Sequence, residues 1–248
     1  KIVLTGGGSG GHFYPLIAVA EAIQKEVIEK KLVPVELFYM APIPYNDSIL
    51  FDTHITFVTV PGGKLRRYAD IRNYLDIFLT GWGVVISIFK LFSIYPDVVF
   101  SKGGGVSIPV VLAARILKIP VFIHESDSVP GRANMYASKF ASRIAISFSE
   151  AAEYFKAKEG VVVHTGHPIR SELTSPQKTG AMEFLHLEND IPTIFLIGGS
   201  LGSVLLNDAL LESLPILLNN YQVIHQTGKL NYNDVKIRTD FILANHPH

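Results

Sequence analysis

Short apolar runs alternate along the chain with longer segments in which apolar residues recur at helical spacing. The runs that predict strands are Lys1–Thr5, Pro34–Met40, Ile55–Val60, Val98–Ser101, Val121–His124, Arg143–Phe148, Val161–Thr165, Thr193–Ile197 and Gln222–His225. The segments that predict helices are Pro15–Glu29, Ile71–Phe92, Ile108–Leu117, Ala133–Phe140 and Leu201–Leu218. Regular alternation of strands and helices is typical of parallel sheets covered by helices. We therefore expect an α/β fold.

Two of the predicted strands run directly into glycine-rich loops, at Gly6 and at Gly198. A first strand followed by such a loop is typical of nucleotide-binding folds with parallel sheets. We therefore predict two Rossmann-like domains, residues 1–163 and 164–248. Because only two or three strands fall in the second domain, we expect it to be incomplete in this chain.

The first glycine loop carries the clearest candidate chemistry. Glycines occupy every position from Gly6 to Gly11 except Ser9, and Pro15 helps to start the helix that follows. Backbone N–H groups of such a loop can approach an anion closely at a helix N-terminus. The loop predicts a phosphate-type site, with a tight structural turn as the alternative. It is not a Walker A loop, because no Gly-Lys-Ser/Thr follows.

His12 follows this loop directly. An imidazole titrates near neutral pH, so it can take a proton from an attacking hydroxyl. The alternative is a histidine that only occupies the first turn of the helix, and the residue pattern does not separate the two.

Two further loops follow predicted strands, Ser101–Pro109 and His124–Gly131. Ligands of open parallel sheets bind at the carboxyl ends of the strands, so both loops are candidates for one cleft. Glu125 and Asp127 indicate either a metal site or acceptors for sugar hydroxyls. An acidic pair without further ligands is a poor metal site, so we predict no metal. For Asp127, a helix cap is a third interpretation.

The loop Gly198–Ser203 repeats the arrangement of the first glycine loop. Ser200 offers a hydroxyl and a backbone N–H to a phosphate oxygen, and Asn207 returns to the same face of the helix that follows. Two glycine loops facing each other across a cleft would suit an enzyme that binds a nucleotide sugar.

Composition excludes several classes of protein. The 248 residues include no cysteine, which excludes disulfides, thiolate metal sites and cysteine nucleophiles. Hydrophobic residues make up 48% and charged residues 18%, which is not the composition of a disordered chain. The 22 basic and 22 acidic residues balance, so we expect no nucleic-acid partner. No secretory signal opens the sequence, so we expect a cytoplasmic location.

An apolar stripe at helical spacing runs through the second predicted helix. Its members are Ile71, Leu75, Phe78, Leu79, Trp82, Val85 and Phe89, and the basic residues that flank it are Lys64, Arg66, Arg67, Arg72 and Lys90. Such a stripe suits an anionic membrane surface, although most apolar stripes are ordinary core. The uncharged run between Asp76 and Lys90 is too short to span a bilayer.

The loops described above occur in the order and spacing of the MurG family. The same holds for three further segments, Gly62–Tyr68, Gly166–Arg170 and His225–Gly228. The chain therefore resembles these bacterial peptidoglycan N-acetylglucosaminyltransferases over nearly its whole length. The resemblance implies an inverting glycosyltransferase of the GT-B type without a cofactor. It also implies transfer of N-acetylglucosamine from UDP-N-acetylglucosamine to the muramyl 4-hydroxyl of undecaprenyl-diphosphoryl-MurNAc-pentapeptide (lipid I), giving lipid II, by a peripheral protein at the cytoplasmic face of the cell membrane.

The resemblance further implies roles for single residues. His12 and Glu125 match residues of the acceptor cleft, and one of them would be the catalytic base. The positions that match contacts to UDP-N-acetylglucosamine are Ser9, Gly10, Gly11, Asp127, Arg170, Ser200 and Asn207. Gly105 departs from the pattern, because many relatives have an aromatic residue there. The sequence also ends before the segment that reads uracil and ribose in the family, so we expect weak donor binding by this chain alone.

Two other functions stay open on the sequence. A nicotinamide-dependent oxidoreductase would use similar glycine loops, but no acidic residue closes the second predicted strand to bind a ribose. A non-enzymatic subunit that holds the acceptor at the membrane and leaves the donor to another chain would fit the short second domain.

Overall fold

The computed structural model describes residues 1–63, 72–156, 160–175, 177–199 and 201–244, and for residues 72–75 and 77 it describes the backbone alone. The protein divides into two compact units, Lys1–Ser175 and Pro176–His248. The division lies after the predicted boundary at residue 163, because the segment that follows the first unit's last strand stays packed on that unit. There, the backbone N–H and the hydroxyl of Ser171 both donate to Oε2 of Glu21, at 2.9 Å each.

A seven-stranded parallel sheet forms the centre of the first unit. Its strands are β1 (Ile2–Thr5), β2 (Leu37–Ala41), β3 (Ile55–Thr59), β4 (Val98–Ser101), β5 (Val121–Glu125), β6 (Arg143–Ile146) and β7 (Val162–His164). They lie in the order β3-β2-β1-β4-β5-β6-β7. The strand order reverses direction between β1 and β4. Open sheets of this kind bind ligands at that point, outside the carboxyl ends of the strands.

Helices cover both faces of this sheet. They are α1 (Gly10–Glu29), α2 (Asp47–Asp52), α3 (Arg72–Ile94), α4 (Ile108–Ile116) and α5 (Arg132–Ala137), with α6 (Ser171–Thr174) after β7. Val3 and Leu4 of β1 are both fully buried but belong to different apolar clusters, because successive side chains of a strand point to opposite faces. Leu4 packs with Phe13 and Leu16 of α1, which fixes the start of that helix beside β1.

The second unit contains α7 (Lys178–Phe184), β8 (Thr193–Ile197), α8 (Val204–Leu217), β9 (Gln222–Gln226) and α9 (Tyr232–Ala244). β8 and β9 pair in parallel. Leu211 and Leu214 of α8 pack with Val235 of α9 as a small core. The described residues of this unit therefore form a two-stranded sheet, as the small number of predicted strands indicates.

The expected α/β fold with parallel sheets is confirmed, and each predicted strand is present with small shifts of its ends. The start of α1 differs more: the helix begins at Gly10 and not at Pro15, so His12 lies in its first turn. The helices α2, α6, α7 and α9 are not predicted. α2 is short and begins where Oδ1 of Asn46 accepts the N–H of Ile49 at 3.1 Å, a local signal that apolar periodicity does not contain.

Candidate active site

The carboxyl ends of β1, β4 and β5 surround a cavity of about 150 Å³. The loops after these three strands supply its lining, which consists of Gly11, His12, Lys102, Gly104, Glu125, Ser126, Asp127, Gly131, Ala133 and Asn134. The structure thus brings His12, Glu125 and Asp127 together, as expected of residues that follow neighbouring parallel strands. The cavity lies where the strand order reverses, which is the expected place for a ligand site.

His12 is held by the residue that precedes its helix. Ser9 is the N-cap of α1, with extended backbone angles (φ −157°, ψ 163°), and its hydroxyl caps no backbone N–H of the helix. Instead, the Ser9 hydroxyl oxygen lies 2.9 Å from Nδ1 of His12. If Nδ1 carries the proton and donates it to this oxygen, Nε2 keeps a lone pair with which to accept a proton.

Gly104 forms the wall beside this ring. Its φ of +83° lies in the left-handed region, which disfavours any side chain. A Cβ on Gly104 would also lie 2.9 Å from the carbonyl oxygen of Gly7 and 3.5 Å from Nε2 of His12. The glycine therefore lets the loops after β1 and β4 approach each other and leaves open space beside Nε2.

The surroundings favour the neutral form of His12. Burial lowers the pKa of its imidazole and the charge of Lys102 lowers that pKa further, whereas the charges of Asp127 and Glu125 raise it. The net direction is downward. A lowered pKa keeps the ring neutral near pH 7, which is the state that a general base requires.

The Glu125 carboxylate is occupied by hydrogen bonds from its own loop. Oε1 accepts the backbone N–H groups of Ser126 at 2.8 Å and Asp127 at 3.0 Å. Oε2 accepts the N–H of Gly131 and Nδ2 of Asn134, both at 3.0 Å. Four donors match the capacity of an ionised carboxylate. This geometry makes Glu125 the residue that folds the loop between β5 and α5, and each of its carboxylate oxygens already accepts two hydrogen bonds.

The carboxylate of Asp127, unlike that of Glu125, is not used in its own loop. Its side chain lines the cavity, and within the described part of the chain its carboxylate has no hydrogen bond and no ion pair. It is therefore free to accept hydrogen bonds from a ligand. Over the same described residues, no three His, Asp or Glu side chains come together as metal ligands.

Arg170 lies outside the lining of this cavity. Its guanidinium stacks 4.3 Å from the ring centre of Tyr14 and pairs with Glu172. Gly10 is also used internally, because a Cβ at this position would come within 3.0 Å of the Tyr45 hydroxyl and 3.2 Å of the Tyr14 ring. In this structure both residues help to fix the start of α1.

In the second unit, Asn207 is buried in α8 and both ends of its amide are bonded. Nδ2 donates to the carbonyl of Thr227 at 3.1 Å, and Oδ1 accepts from Nε2 of His225 at 2.9 Å. A Cβ on Gly202 would overlap that same carbonyl oxygen, so the loops after β8 and β9 pack closely. Asn207 thus joins the two loops, while Ser200 lies outside the described residues.

Sequence reasoning did not identify His124 as a buried, hydrogen-bonded residue. Its side chain is 2% exposed, and Nε2 donates to the carbonyl of Gly166 at 3.1 Å, since a carbonyl can only accept. Burial lowers the pKa of His124 to about 4, although the bond to Gly166 opposes this. Lys102, also missed, is buried on the cavity wall. The only sequence signal for either was its place at a strand end, which is equally the place of many structural residues.

The apolar stripe of α3 is exposed to solvent and is not core. Phe78, Trp82 and Phe89 are 73%, 52% and 69% exposed, and Lys90 beside them is exposed as well. Ile71 and the side chain of Leu75 lie outside the described residues. No helix in the described part of the chain is long and apolar enough to cross a membrane.

Comparison with known proteins matches both parts of the sequence. Residues 2–146 match the Glycosyltransferase family 28 N-terminal domain, and residues 193–246 match the Glycosyltransferase family 28 C-terminal domain. A curated relative from Treponema denticola, named UDP-N-acetylglucosamine--N-acetylmuramyl-(pentapeptide) pyrophosphoryl-undecaprenol N-acetylglucosamine transferase, is 37% identical over 99% of this chain. A relative of the same name from Lachnospira eligens is 40% identical over 94% of it. The chain spans 64% of the length of each of these relatives.

Solved structures show the same fold. The MurG structure from Acinetobacter baumannii superimposes with a TM-score of 0.62 at 24% identity, over 96% of this chain and 62% of that one. The structure of S. aureus MnaA with UDP gives a TM-score of 0.64 at 15% identity, over 99% of this chain and 67% of that one. The expected GT-B type of fold is therefore confirmed.

Proposed function

Since the chain belongs to glycosyltransferase family 28, we propose that it takes part in transferring N-acetylglucosamine from UDP-N-acetylglucosamine to the muramyl 4-hydroxyl of lipid I, which forms lipid II. The names of curated relatives at 37–40% identity support this substrate pair. The observation that carries the proposal is His12, which Ser9 orients through Nδ1 and which faces a small cavity with two carboxylates.

In the proposed reaction, the 4-hydroxyl gives its proton to Nε2 of His12 as its oxygen attacks the anomeric carbon. The bond from that carbon to the diphosphate oxygen breaks on the opposite face, and UDP leaves with the electron pair. His12 starts neutral and ends as an imidazolium, which the neighbouring carboxylates of Glu125 and Asp127 stabilise. Asp127 accepts a hydrogen bond from a sugar hydroxyl.

The remaining binding residues divide into two groups. We propose that the loop Ser9, Gly10 and Gly11 offers backbone N–H groups at the start of α1 to an anionic part of the substrates, and that Ser200 contacts the donor phosphates. Arg170 and Asn207 act indirectly in this proposal, since Arg170 stacks on Tyr14 and the Asn207 amide is bonded at both ends.

We also propose that the exposed face of α3 binds the anionic cytoplasmic surface of the cell membrane. Phe78, Trp82 and Phe89 supply apolar area, and Lys90 supplies positive charge near it. Insertion of exposed aromatic side chains at the interface, combined with attraction to anionic lipids, is the usual basis of peripheral binding. Such a location would bring a lipid-linked acceptor to the protein.

The test uses a lipid I analogue in vesicles with UDP-N-acetylglucosamine, and chromatography to detect lipid II. Turnover that requires His12 supports the proposal. Oxidation or reduction of a nicotinamide cofactor without binding of UDP would contradict it. Binding of the lipid I analogue without turnover would contradict transfer by this chain and would favour a role in holding the acceptor.

A further inference from the structure

Lys102 is a buried charge to which the proposed mechanism assigns no task. The residue is only 3% exposed, although lysine is rarely buried without a partner. Within the described ranges of the chain, its ammonium makes no hydrogen bond and no ion pair. It lines the cavity that contains His12, Glu125 and Asp127.

The backbone fixes Lys102 at this place. Its N–H donates to the carbonyl of Thr5 at 2.9 Å, which continues the pairing of β4 with β1 beyond the last strand residue. A Cβ on Gly6 would lie 3.0 Å from Cβ of Lys102, so the first glycine of the loop makes room for the lysine stem. Lys102 therefore enters the cavity at the point where the strand order reverses.

The charged groups around the cavity are not equivalent. Glu125 is committed to four hydrogen bonds within its loop. Asp127 is uncommitted, so Lys102 and Asp127 are opposite charges that both face the cavity without a partner of their own. The charged and titratable groups that act on His12 are Lys102 after β4, and Glu125 and Asp127 after β5. Burial lowers the pKa of His124 and of His167, which favours the neutral form of both rings.

We propose that Lys102 is a positioning residue of the active site. Together with Asp127, it sets the charge state in which His12 contacts the acceptor hydroxyl. The inference deepens the proposed function, on which the identity of that hydroxyl depends. The geometric basis is a buried ammonium and a free carboxylate on the wall of one cavity with the imidazole.

The two groups act on His12 in opposite directions. The positive charge of Lys102 lowers the pKa of His12, and the negative charge of Asp127 raises it. Burial lowers the pKa of Lys102, and the charges of Glu125 and Asp127 oppose this effect. The ammonium and the carboxylate thus act on the imidazole with opposite signs.

The experiment is an NMR titration of the imidazole of His12 in this 248-residue chain, with the signal assigned by its loss in His12→Gln. In Lys102→Met, which keeps an unbranched side chain one atom shorter and removes the charge, the midpoint should move to higher pH. In Asp127→Asn it should move to lower pH, and the double variant should return toward the wild type. Lys102→Arg should keep the wild-type midpoint, and Lys156→Met, at an exposed lysine of the same unit, is the matched control.

A folded Lys102→Met protein with an unchanged or lowered His12 midpoint would overturn the proposal. If Lys102→Met does not fold, the test rests on Asp127→Asn. An unchanged His12 midpoint in that variant would also overturn the proposal. The titration needs no substrate, so absence of transferase activity would count against the proposed function without touching this result. Where activity is present, the acidic limb of kcat/KM should move in the same direction as the NMR midpoint.

Discussion

The Ser9 hydroxyl and Nδ1 of His12 are separated by 2.9 Å, so the residue before α1 holds the ring of a residue inside its first turn. We predict that Ser9→Ala lowers kcat by about tenfold or less, because a neutral hydrogen bond is worth about 0.5–1.5 kcal/mol. Ser9→Thr keeps the hydroxyl and should keep most of the activity. Steady-state kinetics on both variants measure kcat. Equal decreases of kcat in the two variants would refute the orienting role of the hydroxyl.

His12→Ala should lower kcat by roughly 10²–10⁴-fold with little change in donor binding, as expected for loss of a general base. The wild-type acidic limb should lie below the ordinary histidine value, since burial and Lys102 lower the pKa of His12. That limb should be absent from the residual activity of the variant. A near-normal kcat would remove His12 from the chemistry.

Glu125→Gln should destabilise the first unit by about 1–3 kcal/mol, because the amide NH2 of glutamine would face donors where the carboxylate accepts hydrogen bonds. Urea unfolding of this chain measures the effect. The control is Glu153→Gln, at an exposed glutamate. If Glu125→Gln is as stable as the control but inactive, Glu125 takes part in the reaction and its role is not confined to holding the loop.

His124 should make the stability of the first unit depend on pH. The pKa of His124 is about 4 in the folded protein, whereas that of an exposed histidine is 6.5, so the unfolded chain binds the proton more readily between these values. Stability is therefore full above pH 6.5 and falls as the pH drops toward 4, by roughly 3 kcal/mol for this group. Urea unfolding from pH 4 to 7 should show a shallower pH dependence in His124→Gln, and an identical slope would contradict the assignment.

Replacing Trp82 and Phe89 by Ser should reduce binding to vesicles that contain anionic lipids and leave the free energy of unfolding nearly unchanged. Both side chains are more than half exposed, so they contribute little to the core. Phe51→Ser, at a phenylalanine that is 81% exposed outside α3, is the matched control for vesicle binding. Co-sedimentation and urea unfolding separate the outcomes. Loss of stability would mean that the face packs within the protein.

The sequence predicted the sheet of the first unit well because each strand is a short, largely apolar run between helices, and β1 and β2 are buried almost throughout. It also placed His12, Glu125 and Asp127 at one edge, since the carboxyl ends of parallel strands meet there. It missed the start of α1 at Gly10, because glycine is a poor helix former and the position is fixed by packing against Tyr14 and Tyr45.

The roles within the site were harder to predict than its location. Glu125 and Asp127 are two residues apart and look equivalent in the sequence. The carboxylate of Glu125 accepts three backbone N–H groups and the Asn134 amide, whereas that of Asp127 has no hydrogen bond within the described residues. That difference arises from how the loop closes on Gly131 and Asn134, which no residue pattern encodes. The burial of Lys102 likewise depends on Gly6, a residue nearly a hundred positions away.

Gly104 has a consequence for the design of inhibitors. Its positive φ and the nearness of the Gly7 carbonyl both exclude a side chain, so any substitution there would disturb the two loops that hold His12. A compound that rests on the bare backbone at this position would touch a surface that mutation cannot reshape without harming the protein. Resistance would then have to arise elsewhere, at residues whose side chains can change while the fold is kept.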